Sequence, residues 1–436
     1  MGKPVGLDFG TANSAIAVKM PDGSVQLASF RNQDKLTTTF KSILYFSIIK
    51  DGLSRSTNVV AGPEAIRSYV EADIKGRLIQ SIKSFLPSNS FTHTEIFGRT
   101  YTIEELISII IRELRNAAIE QFGEISESVV IGRPVKFAGA KNDEDEQRAL
   151  NRLRSAAQRA GFESVSFEFE PVAAAYQYAK QLDHEELVLI ADFGGGTSDF
   201  SLLRLGPLAI GGRGYYDQEI IGSRGVALAG DTFDGKIVRH AVAPSLGLGS
   251  YYRSLGKELP IPLSIYRRLE RWHEASFLKT PQILKLLREV KVQALEPQKV
   301  DALSHIIIND LGYDLFRAVE RTKIDLSENE ASQFSLANSS VELDYQIDQD
   351  QFESWIQGDI EQISNCVDNL LIQCNVNQEN VDSIFLTGGS SLVPAVRRLF
   401  EQRFSRCKIR FGDELTTVAK GLALCANSLK FIEGRV

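Results

Sequence analysis

Asp8 and Asp192 each close an apolar run, and each precedes a phenylalanine and a turn of small residues. The first copy reads Val5-Gly6-Leu7-Asp8-Phe9-Gly10-Thr11-Ala12-Asn13-Ser14. The second reads Leu189-Ile190-Ala191-Asp192-Phe193-Gly194-Gly195-Gly196-Thr197-Ser198-Asp199. Glycine admits φ > 0 and lets backbone N–H groups come close to an anion. A carboxylate just before such a turn is placed to face a hydrated metal ion. Two of these hairpins facing each other would grip a metal–polyphosphate from both sides, which points to an ATP-binding cleft.

Rival phosphate-binding patterns fail. G-x-x-x-x-G-K-[ST] appears nowhere, and no G-x-G-x-x-G stands between a strand and a helix. Asp192-Phe193-Gly194 matches the protein-kinase metal motif in three letters, yet no H-R-D loop precedes it. The four cysteines, Cys366, Cys374, Cys407 and Cys425, follow no zinc spacing and read as reduced, mostly buried thiols. The five histidines stand singly and form no ligand cluster.

The elements that must position the aspartates alternate between strand and helix, which indicates an α/β class. Residues 5–9, 14–19 and 25–30 predict a three-stranded meander. Thr102-x-x-Glu105 is a capping box for a helix with Ile103, Leu106, Ile107, Ile110, Ile111 and Leu114 on one face. Residues 129–134 predict a buried strand ending in a loop. A polar helix over about 144–160 stops at Gly161, its acidic start Asp143-Glu144-Asp145-Glu146 read as exposed. Glu170-Pro171 opens the helix 171–181. Residues 240–312 predict a helical insertion without a hairpin, in which Arg267, Arg268 and Arg271 form a solvated patch. A later helix buries Phe352, Trp355, Ile356, Ile360, Ile363, Val367 and Leu370. A strand then runs into the turn Gly388-Gly389-Ser390-Ser391, and Thr416 to Leu429 form a last helix.

At 436 residues the chain is long enough for at least two lobes. It is 43% hydrophobic and 24% charged, with a net charge of −7. That acidity argues against a general binder of nucleic acid or anionic membrane. No apolar run reaches the roughly 18–20 residues that span a bilayer. The amino terminus runs directly into the first strand, so no signal peptide is expected. Gly6 stands where a myristoylation signal needs Ser or Thr. A cytoplasmic protein is the expectation.

These segments, in this order, resemble the nucleotide-binding domain of the DnaK-type 70-kDa heat-shock chaperones, within the actin and sugar-kinase superfamily. Val5 to Ser14 is similar to the first phosphate motif and Ile190 to Asp199 to the second. Glu170-Pro171-Val172-Ala173-Ala174-Ala175 resembles the connecting helix motif, and Leu386 to Pro394 the adenosine motif. Gly230-Asp231-Thr232-Phe233-Asp234 looks like a degraded Gly-Gly-Glu-Asp-Phe-Asp turn, and Glu320-x-x-Lys323 like the purine-side helix. The Ile131-Gly132-Arg133-Pro134 loop and the length point to the short bacterial YegD-type members.

The resemblance implies an actin-like ATPase fold. Two lobes would each be built on a ribonuclease-H-like five-stranded mixed sheet flanked by helices, with ATP in the cleft between them. Lobe I would take residues 1–186 and 413–436, with a small insertion at about 38–110. Lobe II would take 187–412, with a mainly helical insertion at about 226–312. Position by position, Asp8, Asp192 and Asp199 would hold Mg²⁺ mainly through water, as suits a hard cation. Gly10, Thr11, Ala12, Asn13, Gly194, Gly195, Gly196 and Thr197 would line the phosphates. Lys83 would neutralise the γ-phosphate and Glu170 would orient the attacking water. Asp192 and Thr197 would join them in catalysis, and Pro171 would relay the nucleotide state. Gly230, Asp231, Glu320, Lys323, Gly388, Gly389, Ser390 and Leu392 would face the nucleoside. Read without the family, Lys83 is one lysine on a helix, Glu170 a helix-start carboxylate, and Glu320 with Lys323 an i,i+3 pair on a solvated face.

Departures from the family pattern set the alternatives. Ala12 replaces a hydroxyl, Leu392 an adenine-stacking arginine and Ile324 a second purine-side arginine. The family continues beyond the last lobe helix into a hydrophobic linker and a peptide-binding domain, and the expectation here is a protein without a peptide-binding domain of its own. The expectation is a Mg²⁺-dependent ATP-binding switch with slow hydrolysis that acts on a separate protein partner or co-chaperone. A catalytically weak nucleotide-binding scaffold, a small-molecule kinase of the sugar-kinase branch and an actin-like filament remain the alternatives.

Overall fold

The computed structural model describes residues 2–32, 35–51, 54–72, 76–206, 219–275, 278–338, 341–412 and 416–426. The chain divides into two compact units. The first holds residues 1–228, 363–391 and 399–436, the second residues 229–362 and 392–398.

Two sheets of the first unit carry the same plan. In one, strands β1 (Lys3–Phe9), β2 (Asn13–Lys19) and β3 (Val25–Leu27) form an antiparallel meander. Strands β4 (Ile125–Arg133) and β5 (Ser164–Phe169) add to β1 in parallel, giving the order β5-β4-β1-β2-β3. Phe40–Lys41 extends this sheet beside β2. In the other, β6 (Glu186–Phe193), β7 (Ser198–Leu205) and β8 (Glu219–Val226) repeat the meander. Strands β9 (Ser383–Thr387) and β10 (Lys408–Phe411) repeat the parallel flank, in the order β8-β7-β6-β9-β10. The repeated Asp-Phe-Gly is thus the local trace of a whole duplicated sheet. Mixed sheets flanked by helices are the architecture of the Hsp70 and actin-like ATPase fold.

The helices follow their sequence signals. Helix α1 (Ile103–Phe122) starts at the capping box: Glu105 N–H donates to Thr102 Oγ1 and Thr102 N–H to Glu105 Oε2. Its predicted apolar face is fully buried against β-sheet residues such as Leu7, Ile16 and Val18. Each such side chain contributes about 1.5–3 kcal/mol. Helix α2 (Asp143–Arg159) is capped by Asn142 and ends before Gly161 at φ +102°. Helix α3 (Glu170–Ala179) begins with Pro171 in its first turn and packs on Val188, Ile190 and Leu203 of the second sheet. Helix α4 (Thr417–Cys425) lies on the first sheet. Small residues let α4 lie close to both α3 and β1: a Cβ at Gly421 would stand 1.8 Å from Ala173 O of α3, and one at Gly6 of β1 2.2 Å from Ala423 N.

Three details differ from expectation, and a fourth expectation falls partly outside the described residues. Residues 240–312 do contain a hairpin, Tyr251–Ser254 with Lys257–Pro260. Its two-residue turn places Leu255 at φ +50° and Gly256 at φ +76°, and leucine in that position gives no turn signal. The acidic start of α2 is only half exposed: Glu146 is an ion-pair partner of Arg133 at 3.1 Å, and Asp145 of Arg148 at 2.6 Å. Trp355 is half-buried and stacks on His240 at 5.4 Å, unlike the core residues Phe352 and Ile356. The last helix runs to Cys425, and residues 427–429 of its expected span lie outside the described residues. Among those residues no helix is long and apolar enough to cross a membrane.

Candidate functional site

The β1–β2 ladder pairs Asp8 with Ala15 and Phe9 with Ser14, so residues 10–13 form the turn just beyond Asp8. Gly10 is obligatory there, since a Cβ would lie 2.0 Å from Asn13 O. Ser42 pins the turn from outside. Its hydroxyl donates to Gly10 O at 2.8 Å and its N–H to Ala12 O at 3.0 Å, while Ser14 and Ser42 Oγ lie 2.8 Å apart.

In the second hairpin Asp192 and Asp199 are direct cross-strand partners, with Phe193 opposite Ser198. Directly opposed residues of an antiparallel pair share a face, so two carboxylates are brought side by side. The turn closes through Gly194 N–H to Thr197 O at 3.0 Å. The Gly388–Ser391 turn packs directly on it: Ser390 Oγ donates to Gly194 O at 3.1 Å. Gly388 has φ +83°, and a Cβ there would meet Phe193 O at 2.2 Å.

Lys83 sits on a 3₁₀ turn, Ile82–Phe85, and Glu170 at the start of α3. Lys83 Nζ donates to Glu170 Oε1 at 2.7 Å, and both side chains are about nine-tenths buried. Burial and the nearby Glu170 carboxylate push Asp8 up to about 7, with the Lys83 ammonium opposing. Asp192 is held well above the usual carboxylate range by burial, then by Glu170, Asp8 and Asp199. Burial first and Glu170 second push Asp199 up to about 7, against hydrogen bonds from Thr197, Val135 and Lys136. For Lys83 the desolvation works downward, but Glu170, Asp8 and Asp199 outweigh it and raise the ammonium above its ordinary value. The first unit therefore gathers Asp8, Lys83, Glu170, Asp192 and Asp199 into one electrostatic neighbourhood, although they come from four distant stretches of chain.

A cation fits this group. Asp199 is fully buried, and its Oδ2 has no hydrogen-bond partner among the described residues. Clustered carboxylates raised above their ordinary range are relieved by positive charge. Among the described residues no three His, Cys, Asp or Glu side chains converge closely enough to ligate an ion directly. Such an arrangement suits an ion that keeps its own water, as Mg²⁺ does.

The remaining expected residues lie in the second unit. Gly230 and Asp231 open the helix Gly230–Ile237. Lys323 Nζ pairs with Asp234 Oδ1 at 2.8 Å and approaches Gly230 O at 3.4 Å. This ion pair binds the Gly230-Asp231-Thr232-Phe233-Asp234 turn to the helix Gly312–Glu328, so Lys323 is not simply half of a solvated i,i+3 pair. Leu392, half-buried, follows the Gly388–Ser391 turn in sequence.

Sequence reasoning missed Ser42 and the loop N–H groups of Val135 and Lys136 that hold Asp199. Ser42 has no motif around it, and a backbone donor has no side-chain identity to read.

The chain matches the family model described as "Hsp70 protein" over residues 60–245 and 302–432. It is 27% identical over 437 residues to the chaperone protein DnaK of Thermosipho africanus, covering 99% of this chain and 60% of that protein. Similarity to the DnaK proteins of Thermosipho melanesiensis, 26% over 438 residues, and Thermotoga maritima, 25% over 439 residues, has the same coverage. The chain thus spans about 60% of the length of the curated relatives it matches.

Proposed function

The chain belongs to the Hsp70 family, and we propose that it binds ATP with Mg²⁺ and hydrolyses it slowly as a chaperone-like nucleotide switch. The observation that carries this reading is the gathering of Asp8, Asp192 and Asp199 beside the Lys83–Glu170 pair, at the mouths of two hairpins with the same turn. The backbone N–H groups of residues 10–13 and 194–197 would receive the β- and γ-phosphates, with the Thr11 and Thr197 hydroxyls. Asp8, Asp192 and Asp199 would orient the water shell of Mg²⁺, which when bound neutralises phosphate charge. Lys83 would turn toward the γ-phosphate and free Glu170 to hold the attacking water. Such positioning and charge stabilisation supply most of the catalysis in phosphoryl transfer. Gly230, Asp231, Glu320, Lys323, Gly388, Gly389, Ser390 and Leu392 are proposed on the nucleoside, and a co-chaperone or client as protein partner.

The test is calorimetric titration with ATP and ADP, with and without Mg²⁺, followed by single-turnover phosphate release. Mg²⁺-dependent ATP binding and release abolished in Lys83→Ala and Asp192→Asn are expected. Release unchanged in both variants would overturn the mechanism. A second reading, a nucleotide-binding scaffold without turnover, is favoured by Ala12, Leu392 and the exposed Ile324. Tight ATP binding with no phosphate release over many hours would establish it. ATP consumption stimulated by a metabolite pool would move the assignment to the sugar-kinase branch.

A further inference from the structure

The loop between β4 and α2 reaches Asp199 with its backbone. Val135 N–H donates to Asp199 Oδ1 at 2.8 Å, and Lys136 N–H also bonds this carboxylate. Gly225, the cross-strand partner of Asp199 on β8, makes room for that approach: a Cβ there would stand 2.4 Å from Asp199 Oδ1 and 3.3 Å from Lys136 N. With Oδ1 engaged, Oδ2 is the oxygen left without a partner among the described residues.

The loop does not hold itself. Glu146, in the first turn of α2, takes both of its ends: Oε2 accepts from Arg133 Nη2 at 3.1 Å and Oε1 from Phe137 N–H at 2.9 Å. Arg133 also bonds inside the loop, Nε donating to Pro134 O at 3.1 Å and Nη2 to Val135 O at 3.5 Å. Its guanidinium also lies over the rings of Phe137 at 5.6 Å and Phe169 at 5.0 Å. Both charged side chains are about four-fifths buried, where an ion pair is not loosened by water as at a surface.

We propose that Arg133 and Glu146 are positioning residues for Asp199: together they fix the residue 133–137 loop so that Val135 holds Oδ1, Lys136 bonds the same carboxylate, and Oδ2 is left turned to metal-bound water. This rests on the Mg²⁺ reading of Asp199 given above. Partners behind a metal ligand act on the metal through orientation, and their loss commonly costs about 10–100-fold in affinity or activity.

The experiment compares wild type, Glu146→Gln, Glu146→Ala and Arg133→Lys. Hydrogen exchange at the Val135 and Lys136 amides is read in protein free of nucleotide and metal. Calorimetry then gives ATP affinity with and without Mg²⁺. Glu146→Gln keeps the shape and removes the charge, so exchange at both amides should quicken, and the Mg²⁺-dependent gain in ATP affinity should fall by about tenfold. Metal-free affinity should stay at the wild-type value. Glu146→Ala should do more and Arg133→Lys less. Equal losses with and without Mg²⁺, or unchanged amide exchange, would reduce the pair to a structural role and overturn the proposal. If wild type itself shows no Mg²⁺-dependent ATP binding, the functional reading falls and takes this one with it; wild-type binding matched by all three variants sinks only the clamp.

Discussion

Lys83 Nζ stands 2.7 Å from Glu170 Oε1 across 87 residues of sequence, the two side chains nearly withdrawn from water. The groups proposed to neutralise phosphate and to orient water therefore hold each other in a buried ion pair. A buried ion pair is weak evidence of stability in itself, but breaking one leaves a desolvated charge unanswered.

Lys83→Ala should accordingly lower unfolding free energy by about 3–5 kcal/mol. Adding Glu170→Gln in the same chain should restore most of it, because the orphaned carboxylate is gone. Urea denaturation of the four members of this cycle measures the coupling. Equal, additive losses would mean that the two charges do not depend on each other.

Acid should stabilise the metal-free protein. Asp199 is fully buried and its carboxyl is pushed from 3.8 up to about 7. A folded-state value above the unfolded one contributes stability that is complete below the unfolded value and is lost as pH rises through the folded one. The melting temperature without metal should therefore fall between about pH 4 and pH 7. Asp199→Asn should flatten that fall and melt above wild type at alkaline pH, by an amount on the order of 2–4 kcal/mol. Asp8 has the same sign, though it retains some contact with solvent and should contribute less. Mg²⁺ should raise the wild-type curve most on its alkaline side. A curve that instead climbs through neutrality would contradict the carboxylate cluster.

What could be read from the chain, and what could not, follows from the range of the interactions. Asp8-Phe9-Gly10 and Asp192-Phe193-Gly194 are visible because strand, acid and turn lie within ten residues, and the same is true of the Thr102–Glu105 box. The full duplication is not visible in the residues themselves, only through the family resemblance, which implies a five-stranded mixed sheet in each lobe. It consists of β4, β5, β9 and β10 joining their meanders from far away, each with its own ordinary apolar sequence. The site is legible to the same extent: four of its charged residues stand in motifs and Lys83 is placed only by the family resemblance, whereas Ser42, Val135 and Lys136 act through chain positions that only the folded topology brings near. Glu146 reads locally as a helix-start acid, and its Arg133 partner, thirteen residues earlier, lies beyond helical spacing.

Gly388→Ala should disturb the second hairpin without touching a charged group. The residue adopts φ +83°, and its Cβ would press into Phe193 O at 2.2 Å. Left-handed backbone costs about 1 kcal/mol and overpacking about 1–3 kcal/mol more. The Ser390 bond to Gly194 O depends on the same turn, so nucleotide affinity should weaken together with stability. Thermal melts and ATP titration of the one variant measure both. Loss of stability with unchanged ATP affinity would separate this turn from the phosphate loop.

Leu392→Arg tests the nucleoside end, where the chain departs from its family pattern. Leucine offers no charge to stack on a purine, whereas a guanidinium over an aromatic face contributes about 0.5–2 kcal/mol. Since 1.4 kcal/mol is a factor of ten, the variant should bind ATP about 2- to 30-fold more tightly. Binding of inorganic triphosphate, which has no base, should not change. The comparison of the two ligands isolates the base from the phosphates, and equal tightening for both would assign the gain to added positive charge rather than to stacking.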